Sequence, residues 1–600
     1  MRLYFSSWIL LLAVAFQCQH PQPTPTVETR AERVKKAVQR DLTALHTVVK
    51  SRLLPLSQRT ASGDSLRALF VECRLHYKRV EAFTEYYLPT TSRLLNGPPF
   101  AEIETEENKS FEPGGLQVIE ELLYPDFDTS RRAELVHEVR KMNRELANCD
   151  ALWPAFTLTD AHVFDALRLE LFRLQTLGLS GFDTPLCHRA IPEAASGLRS
   201  LRGYLQPYLA PTPAARRLST LLTRTEVYLR QHSDFDSFDQ MAFLVGFANP
   251  LSTDLLAYQR GIGIAPFTEL RALRGDAATL YDSAAFNPDY YAPDANSYRS
   301  ASRIALGKRL FFDPILSGNG SRSCASCHQP ERAFTDGQPK SVALATGQTV
   351  ARNAPTLLNA ALQNAQFYDL RGVNLESQTR DVIENRDEMH GSLDEAVVRL
   401  RHRADYARQF RAAYPGKGER LDARHLQNAL ASYERSLLRL DSPFDRYVRG
   451  ERTALTSQEI SGFNLFMGKA KCGICHFAPL FNGTVPPDFT RTESEVIGVP
   501  VRPNATRIDT DLGRYALNRF EQWKYSFKTP TVRNIARTAP YMHNGAFNTL
   551  EEVVEFYDLG GGRGLGFDLP NQTLPKERLD LTKNEKKALV AFLNALTDAK

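Results

Sequence analysis

The chain has 600 residues, 42% of them hydrophobic and 24% charged, and a formal net charge of only +5. That length exceeds what one hydrophobic core serves, so two to four domains are expected. A small net charge without a long basic run argues against nucleic acid as a partner.

The first element is an apolar run. Arg2 precedes WILLLAVAF (8–16), which is short for a membrane span, and Cys18 and a Pro-rich polar stretch follow. The pattern predicts a signal segment over 1–18 and an exported, periplasmic protein. Cys18 is a candidate lipid anchor, which would make the chain a membrane-anchored lipoprotein; an ordinary cleaved signal is the alternative. No other segment is long and apolar enough to cross a membrane.

Residues 30–290 repeat apolar side chains at helical spacing, as in AERVKKAVQRDLTALHTVVKSRL and SLRALFVECRLHYKRVEAFTEYYL. They predict a helical bundle. Within it, PGGLQVIEELLYPD (113–126) resembles the G-x-H-x-x-E helix of imelysin-like bacterial domains. Gln117 stands where that pattern has histidine, while Glu120 is retained, so a scaffold or docking domain is expected rather than a metal site. His76 and Glu81 read as ordinary polar groups of the bundle. The stretch 281–300, rich in Asp, Asn, Pro and Tyr, reads as a linker.

Two similar blocks follow, predicted as small helical domains over 298–450 and 451–600. SRIALGKRLFFDPILS leads into SCASCH, and TSQEISGFNLFMGKAK leads into KCGICH. The fold class expected for the whole chain is therefore mainly α. Each block carries one C-x-x-C-H, made by Cys324, Cys327 and His328 and by Cys472, Cys475 and His476. Two thiols at that spacing can add to the two vinyl groups of one haem, and the adjacent histidine can ligate its iron. Zinc would need further ligands beside each motif, and the only cysteines elsewhere are Cys18, Cys73, Cys149 and Cys187. Two covalently bound haem c groups are thus expected, with His328 and His476 as iron ligands. What lies on the other face of each iron separates an electron carrier from an enzyme.

Several ordered motifs across about 300–600 resemble the bacterial di-haem cytochrome c peroxidase family, including its MauG-like branch. They are GKRLFFDPILSGNGSRSCASCH, ARNAPTLLNAALQNAQFYDLRG, LESQTRDVIENRDEMHG, CGICHFAPLFNG and FKTPTVRNIARTAPYMHNGAFNTLEEVVEFY. The resemblance implies a peroxide site at the first haem and an electron-transfer role for the second. It assigns catalysis to Glu388 and Gln378, with Glu388 relaying a proton between the oxygens of hydrogen peroxide. In many relatives a histidine between the first motif and RN-PT covers the resting iron. Here residues 329–351 contain none, so an open first haem is expected; His390, beside Glu388, is given a structural or supporting role. Tyr368 stands where an inter-haem tryptophan is usual, and Val382 and Arg386 replace two usual prolines. Tyr557 occupies the position of the second haem's distal ligand, as in the MauG-like branch, with Met542 and Met467 as competitors. The resemblance also allows one Ca2+ between the haems, with Asn353, Thr538 and Pro540 at the matching positions.

Three functions follow as alternatives. The first is a peroxidase that reduces hydrogen peroxide to water with electrons from a small donor protein, a cytochrome c or cupredoxin, or from a membrane electron carrier. The second is a MauG-like oxidase that forms high-valent di-haem iron and oxidises a partner protein. The third is a non-enzymatic electron-transfer cytochrome. A homodimer is expected from the resemblance alone.

Overall fold

The computed structural model describes residues 28–100, 102–104, 109–344, 347–416 and 421–599. The signal segment and Cys18 lie outside them. The described chain is mainly helical, and its strands form two antiparallel pairs, Glu102–Glu104 with Lys109–Phe111 and Ser494–Glu495 with Phe527–Lys528.

The N-terminal half is the expected bundle. Its principal helices are α1 (Arg30–Val48), α2 (Gly63–Tyr87), α3 (Leu116–Leu123), α4 (Arg132–Leu152), α5 (Asp160–Arg173), α6 (Ala190–Leu205), α7 (Pro213–Gln231) and α8 (Asn249–Gly261). The apolar stripes read from the sequence are buried, as Val34, Val38, Leu42 and Leu45 of α1 illustrate. Charges also cross this core. Arg74 makes paired bonds of 2.8 and 2.6 Å to Glu193, and Lys78 bonds Asp183 and Glu81 at 2.5 and 2.7 Å. Paired charges survive burial because each partner replaces lost hydration.

Two small helical domains follow. The first comprises α9 (Ala301–Phe312), α10 (Leu375–Glu384), α11 (Leu393–Arg401), α12 (Ala404–Ala413) and α13 (Ala423–Glu434). The second is built on α14 (Ser457–Met467), α15 (Leu550–Asp558) and α16 (Lys583–Ala595). The duplication is visible in one contact. α9 crosses α13 at Gly307, where a Cβ would stand 1.8 Å from the Ala429 carbonyl oxygen; α14 crosses α16 at Gly462, where a Cβ would stand 2.0 Å from that of Ala588. Only glycine permits either crossing.

The cores are not partitioned as the sequence suggested. The first haem domain has its own core, around Leu310, Phe311, Leu400, Leu426 and Leu430. The bundle and the second haem domain share another, which runs from Val34 to Phe592. The linker reading of 281–300 is corrected accordingly: Tyr281 packs on Phe444, Phe286 packs on Phe489, and Tyr291 hydrogen-bonds the Phe489 carbonyl. Tyrosine and asparagine in a Pro-rich stretch signal a turn, but Tyr281 and Phe286 are buried and Tyr291 is tied to the second small domain. Cys73, Cys149 and Cys187 are all free thiols.

Candidate haem site

Each C-x-x-C-H opens on a 3-10 turn, Cys324–Ser326 or Cys472–Ile474, that is capped by its second cysteine just before the histidine. The two turns are built alike. The His328 backbone N–H donates to Cys324 O, and the His476 N–H donates to Cys472 O, each at 2.9 Å. Each ring then bonds a backbone carbonyl through Nδ1: His328 to Phe334 at 2.9 Å and His476 to Pro530 at 3.0 Å. That bond fixes the tautomer and leaves Nε2 as the free donor for a metal. Burial holds both imidazoles neutral, lowering His476 to about 4.

All six motif residues line one continuous cavity of about 520 Å³. Burial pushes the Cys324 and Cys472 thiols up to about 12. Among the described residues no cluster of three or more His, Cys, Asp or Glu could hold a metal ion by itself. Paired neutral thiols beside an imidazole with a free Nε2, on a mainly apolar wall, fit a covalently attached haem at each turn.

The first part of the cavity is bounded by α10 and the loop after it. Glu376 anchors α10 to α13 through paired bonds to Arg435 at 2.7 and 2.8 Å. This turns Gln378, Thr379, Val382 and Ile383 to the cavity. Met389 is buried in the core and the Gly318 N–H donates to its carbonyl at 2.9 Å, so the loop is pinned while Glu388 lines the cavity. Asn385 Nδ2 donates to Glu388 Oε1 at 2.9 Å, and Arg322 donates to the Glu388 carbonyl at 3.1 Å. Burial pushes the Glu388 carboxyl up to about 7, although Arg371 and Arg322 oppose the shift. His390 contributes through its backbone, donating to Asn385 O at 2.8 Å, and its ring is exposed.

At the second motif, Tyr557 and Met542 both line the cavity, whereas Met467 is core. Tyr557 projects from α15 beside Cys472 and Cys475, and burial pushes its phenol well above the usual range. Met542 belongs to the turn that seats Gly545 against Pro339 of the first haem domain. On either side of the second motif, Lys471 reaches the Pro185 carbonyl of the bundle at 3.2 Å, and Phe477 packs on Phe182.

Between the two motifs lies a polar seam that the sequence reading only partly found. Tyr368 lines the cavity, and its carbonyl accepts from the Lys528 N–H at 2.6 Å. Its hydroxyl faces Asn353 Oδ1 at 3.5 Å, too long for a strong bond. Arg352 ties the domains together, bonding Asp369 at 2.6 Å and Asp511 at 2.6 and 3.0 Å. Asn353, Thr538 and Pro540 all line the cavity; Asn353 Nδ2 is committed to the Gln338 carbonyl at 2.8 Å. Lys528 and Glu434, which also line the cavity, were missed. Glu434 sits on the apolar side of a helix and Lys528 in a two-residue strand, and neither carries a motif signal.

In the bundle, Gln117 donates to the Asn96 carbonyl at 3.3 Å and Glu120 accepts from the Cys187 N–H at 2.8 Å. Both side chains are thus taken up in bonds within the bundle. Glu81 is taken by Lys78.

Comparison with known proteins agrees with this architecture. Residues 301–453 match the family model described as di-haem cytochrome c peroxidase. The cytochrome-c peroxidase IdrP2 of Denitromonas iodatirespirans is 35% identical over 50% of this chain and 82% of its own length. The methylamine utilization protein MauG of Methylorubrum extorquens is 35% identical over 53% of this chain and 86% of its own. The cytochrome c551 peroxidase of Pseudomonas aeruginosa is 30% identical over 58% of this chain and 91% of its own. The chain belongs to the di-haem cytochrome c peroxidase family. Membership brings haem cofactors and an oxidoreductase activity on peroxide. The imelysin-like reading of the bundle lies outside the residues matched by the family model and gains no support from it.

Proposed function

We propose that the chain is an exported di-haem c-type peroxidase that reduces hydrogen peroxide to water with electrons from a small redox protein. Cys324, Cys327 and His328 would hold the first haem, and Cys472, Cys475 and His476 the second. Bound haem supplies the iron that takes the peroxide and the two centres through which electrons pass.

The observation that carries this reading is Glu388. It is a half-buried carboxyl on the wall of the cavity that His328 lines, held by Asn385 and poised near neutrality. As carboxylate, it can take the proton from one peroxide oxygen. As acid, it can return that proton to the other oxygen, which leaves as water. The Asn385 amide keeps the carboxyl in place during both transfers. Gln378 offers an amide on the same wall that can orient peroxide by hydrogen bonding.

Tyr557 is assigned to the remaining face of the second iron. Its position beside Cys472 and Cys475 favours it over Met542, which is tied into the inter-domain turn. A phenolate donor stabilises ferric iron and lowers the potential, whereas a thioether does the opposite. The same feature supports a second reading, a MauG-like oxidase acting on a partner protein. Tyr368, lacking a close base for its phenolic proton, is assigned a stacking role between the haems. Asn353, Thr538 and Pro540 are the residues that would hold a Ca2+, through the Asn353 Oδ1 and backbone carbonyls.

Steady-state assay of the haem-loaded chain with a reduced cytochrome c or copper protein tests the assignment. Peroxide-dependent oxidation of the donor is expected. A loaded protein that leaves the donor reduced, yet holds a long-lived oxidised spectrum after one equivalent of peroxide, would transfer the assignment to the oxidase reading.

A further inference from the structure

A second buried carboxyl lines the first part of the cavity. Glu434 ends α13, and the crossing of α13 over α9 at Gly307 seats it there. It is 7% exposed. Its neighbour Arg435, which could have neutralised it, is turned away and fully used by Glu376 on α10. Among the described residues, no group hydrogen-bonds the Glu434 carboxyl. A carboxylate so placed has no hydrogen-bond partner to hold its charge, and its burial favours the acid form. Burial pushes it up to about 8, with Arg435 opposing and Glu376 assisting.

The groups that face it can be named element by element. α9 offers the ring of Phe311, which packs on Tyr433. α10 offers Glu376, paired with Arg435. The attachment turn offers Cys324, which becomes an uncharged thioether when haem is attached.

We infer that Glu434 is the proton-holding residue of the first haem site, coupling arrival of an electron there to uptake of one proton. The inference rests on haem filling this cavity and not on the peroxide chemistry assigned to Glu388. As one electron from the donor reaches the first haem, the site gains one negative charge. At a pH where Glu434 is ionised in the oxidised site, its carboxylate then takes one proton from solvent and becomes the acid, so the charge of the buried site is unchanged; at lower pH the acid is already formed and no proton is taken up. On the alkaline side the midpoint potential of the first haem therefore falls as pH rises, and toward neutrality it levels off.

The test is redox titration of the first haem, followed by its visible and EPR spectra, in the full haem-loaded chain from neutral to alkaline pH. The Glu388→Gln background removes the other titrating acid on the wall. That variant is expected to retain a potential that falls with pH, and the Glu388→Gln/Glu434→Gln double variant is expected to lose the fall. Because glutamine keeps the shape, haem content should match in the two proteins. An unchanged slope in the double variant, or a flat potential already in Glu388→Gln, would overturn the inference. Neither result bears on whether peroxide is reduced.

Discussion

Glu388→Gln is expected to lower kcat/KM for hydrogen peroxide by about 10²–10⁴-fold, the usual contribution of a positioned acid–base group. Haem content should be unaffected, because the loop that carries Glu388 is pinned by Met389, Arg322 and Asn385 and glutamine keeps the side chain's shape. Glutamine can still accept the Asn385 amide, so the shape of the wall survives while the proton transfer does not. The pH profile separates this from a structural effect. The first transfer needs the ionised form, and burial has pushed the carboxyl up to about 7. Wild-type kcat/KM is therefore expected to rise with pH through neutrality and then level off. The variant is expected to lose that rise, whereas a merely looser site would keep it. Stopped-flow measurement of peroxide consumption across this range reads both effects.

Asp445→Ala is expected to destabilise the second haem domain by about 3–5 kcal/mol, the cost of stranding a buried partner. Arg533 and Asp445 are 2% exposed each and make two bonds of 2.8 Å. The same guanidinium bonds the Pro479 carbonyl at 2.8 and 2.6 Å, just beyond His476 in sequence, so the pair holds the loop that follows the second motif. Thermal unfolding followed through the second haem measures the loss. Replacing both partners by apolar residues, Arg533→Met with Asp445→Leu, should recover much of it, because no charge is then stranded. The pH dependence has a definite sign. Burial raises the Asp445 carboxyl, but Arg533 outweighs it and holds the group below the usual range. Its contribution is fully present above the unfolded carboxylate value of about 3.9 and is lost as the pH falls through the lower folded value.

The parts of the site that were legible in the sequence are those whose chemistry forces a local spacing. C-x-x-C-H must fit one turn, and the run from Gln378 to Glu388 must span the end of one helix and one loop. The parts that were not legible come from contacts far apart along the chain. Asn464 on α14 meets Met241 and Asp239 of the bundle, more than two hundred residues away. That contact fuses the bundle to the second haem domain, and no local pattern encodes it. Tyr281, Phe286 and Tyr291 looked like linker residues for the same reason: their composition signals a turn, while their partners Phe444 and Phe489 lie far downstream. Glu434 was hidden differently. In ALASYERSL it looks like one more charge on an amphipathic helix, and only the tight crossing at Gly307 shows that its side faces the cavity. Tyr557 lines the cavity for a local reason, because i to i+4 spacing on α15 fixes which face of that helix meets it.

The central claim is that the two attachment turns divide the work, with an open first iron beside Glu388 and a closed second iron beside Tyr557. The EPR spectrum of the resting ferric protein, loaded with both haems, tests it most directly. The account predicts one high-spin signal that changes in Glu388→Gln, and a second signal that changes in Tyr557→Phe. Two low-spin signals, neither altered by these substitutions, would mean that both irons are six-coordinate through other ligands, and would contradict it.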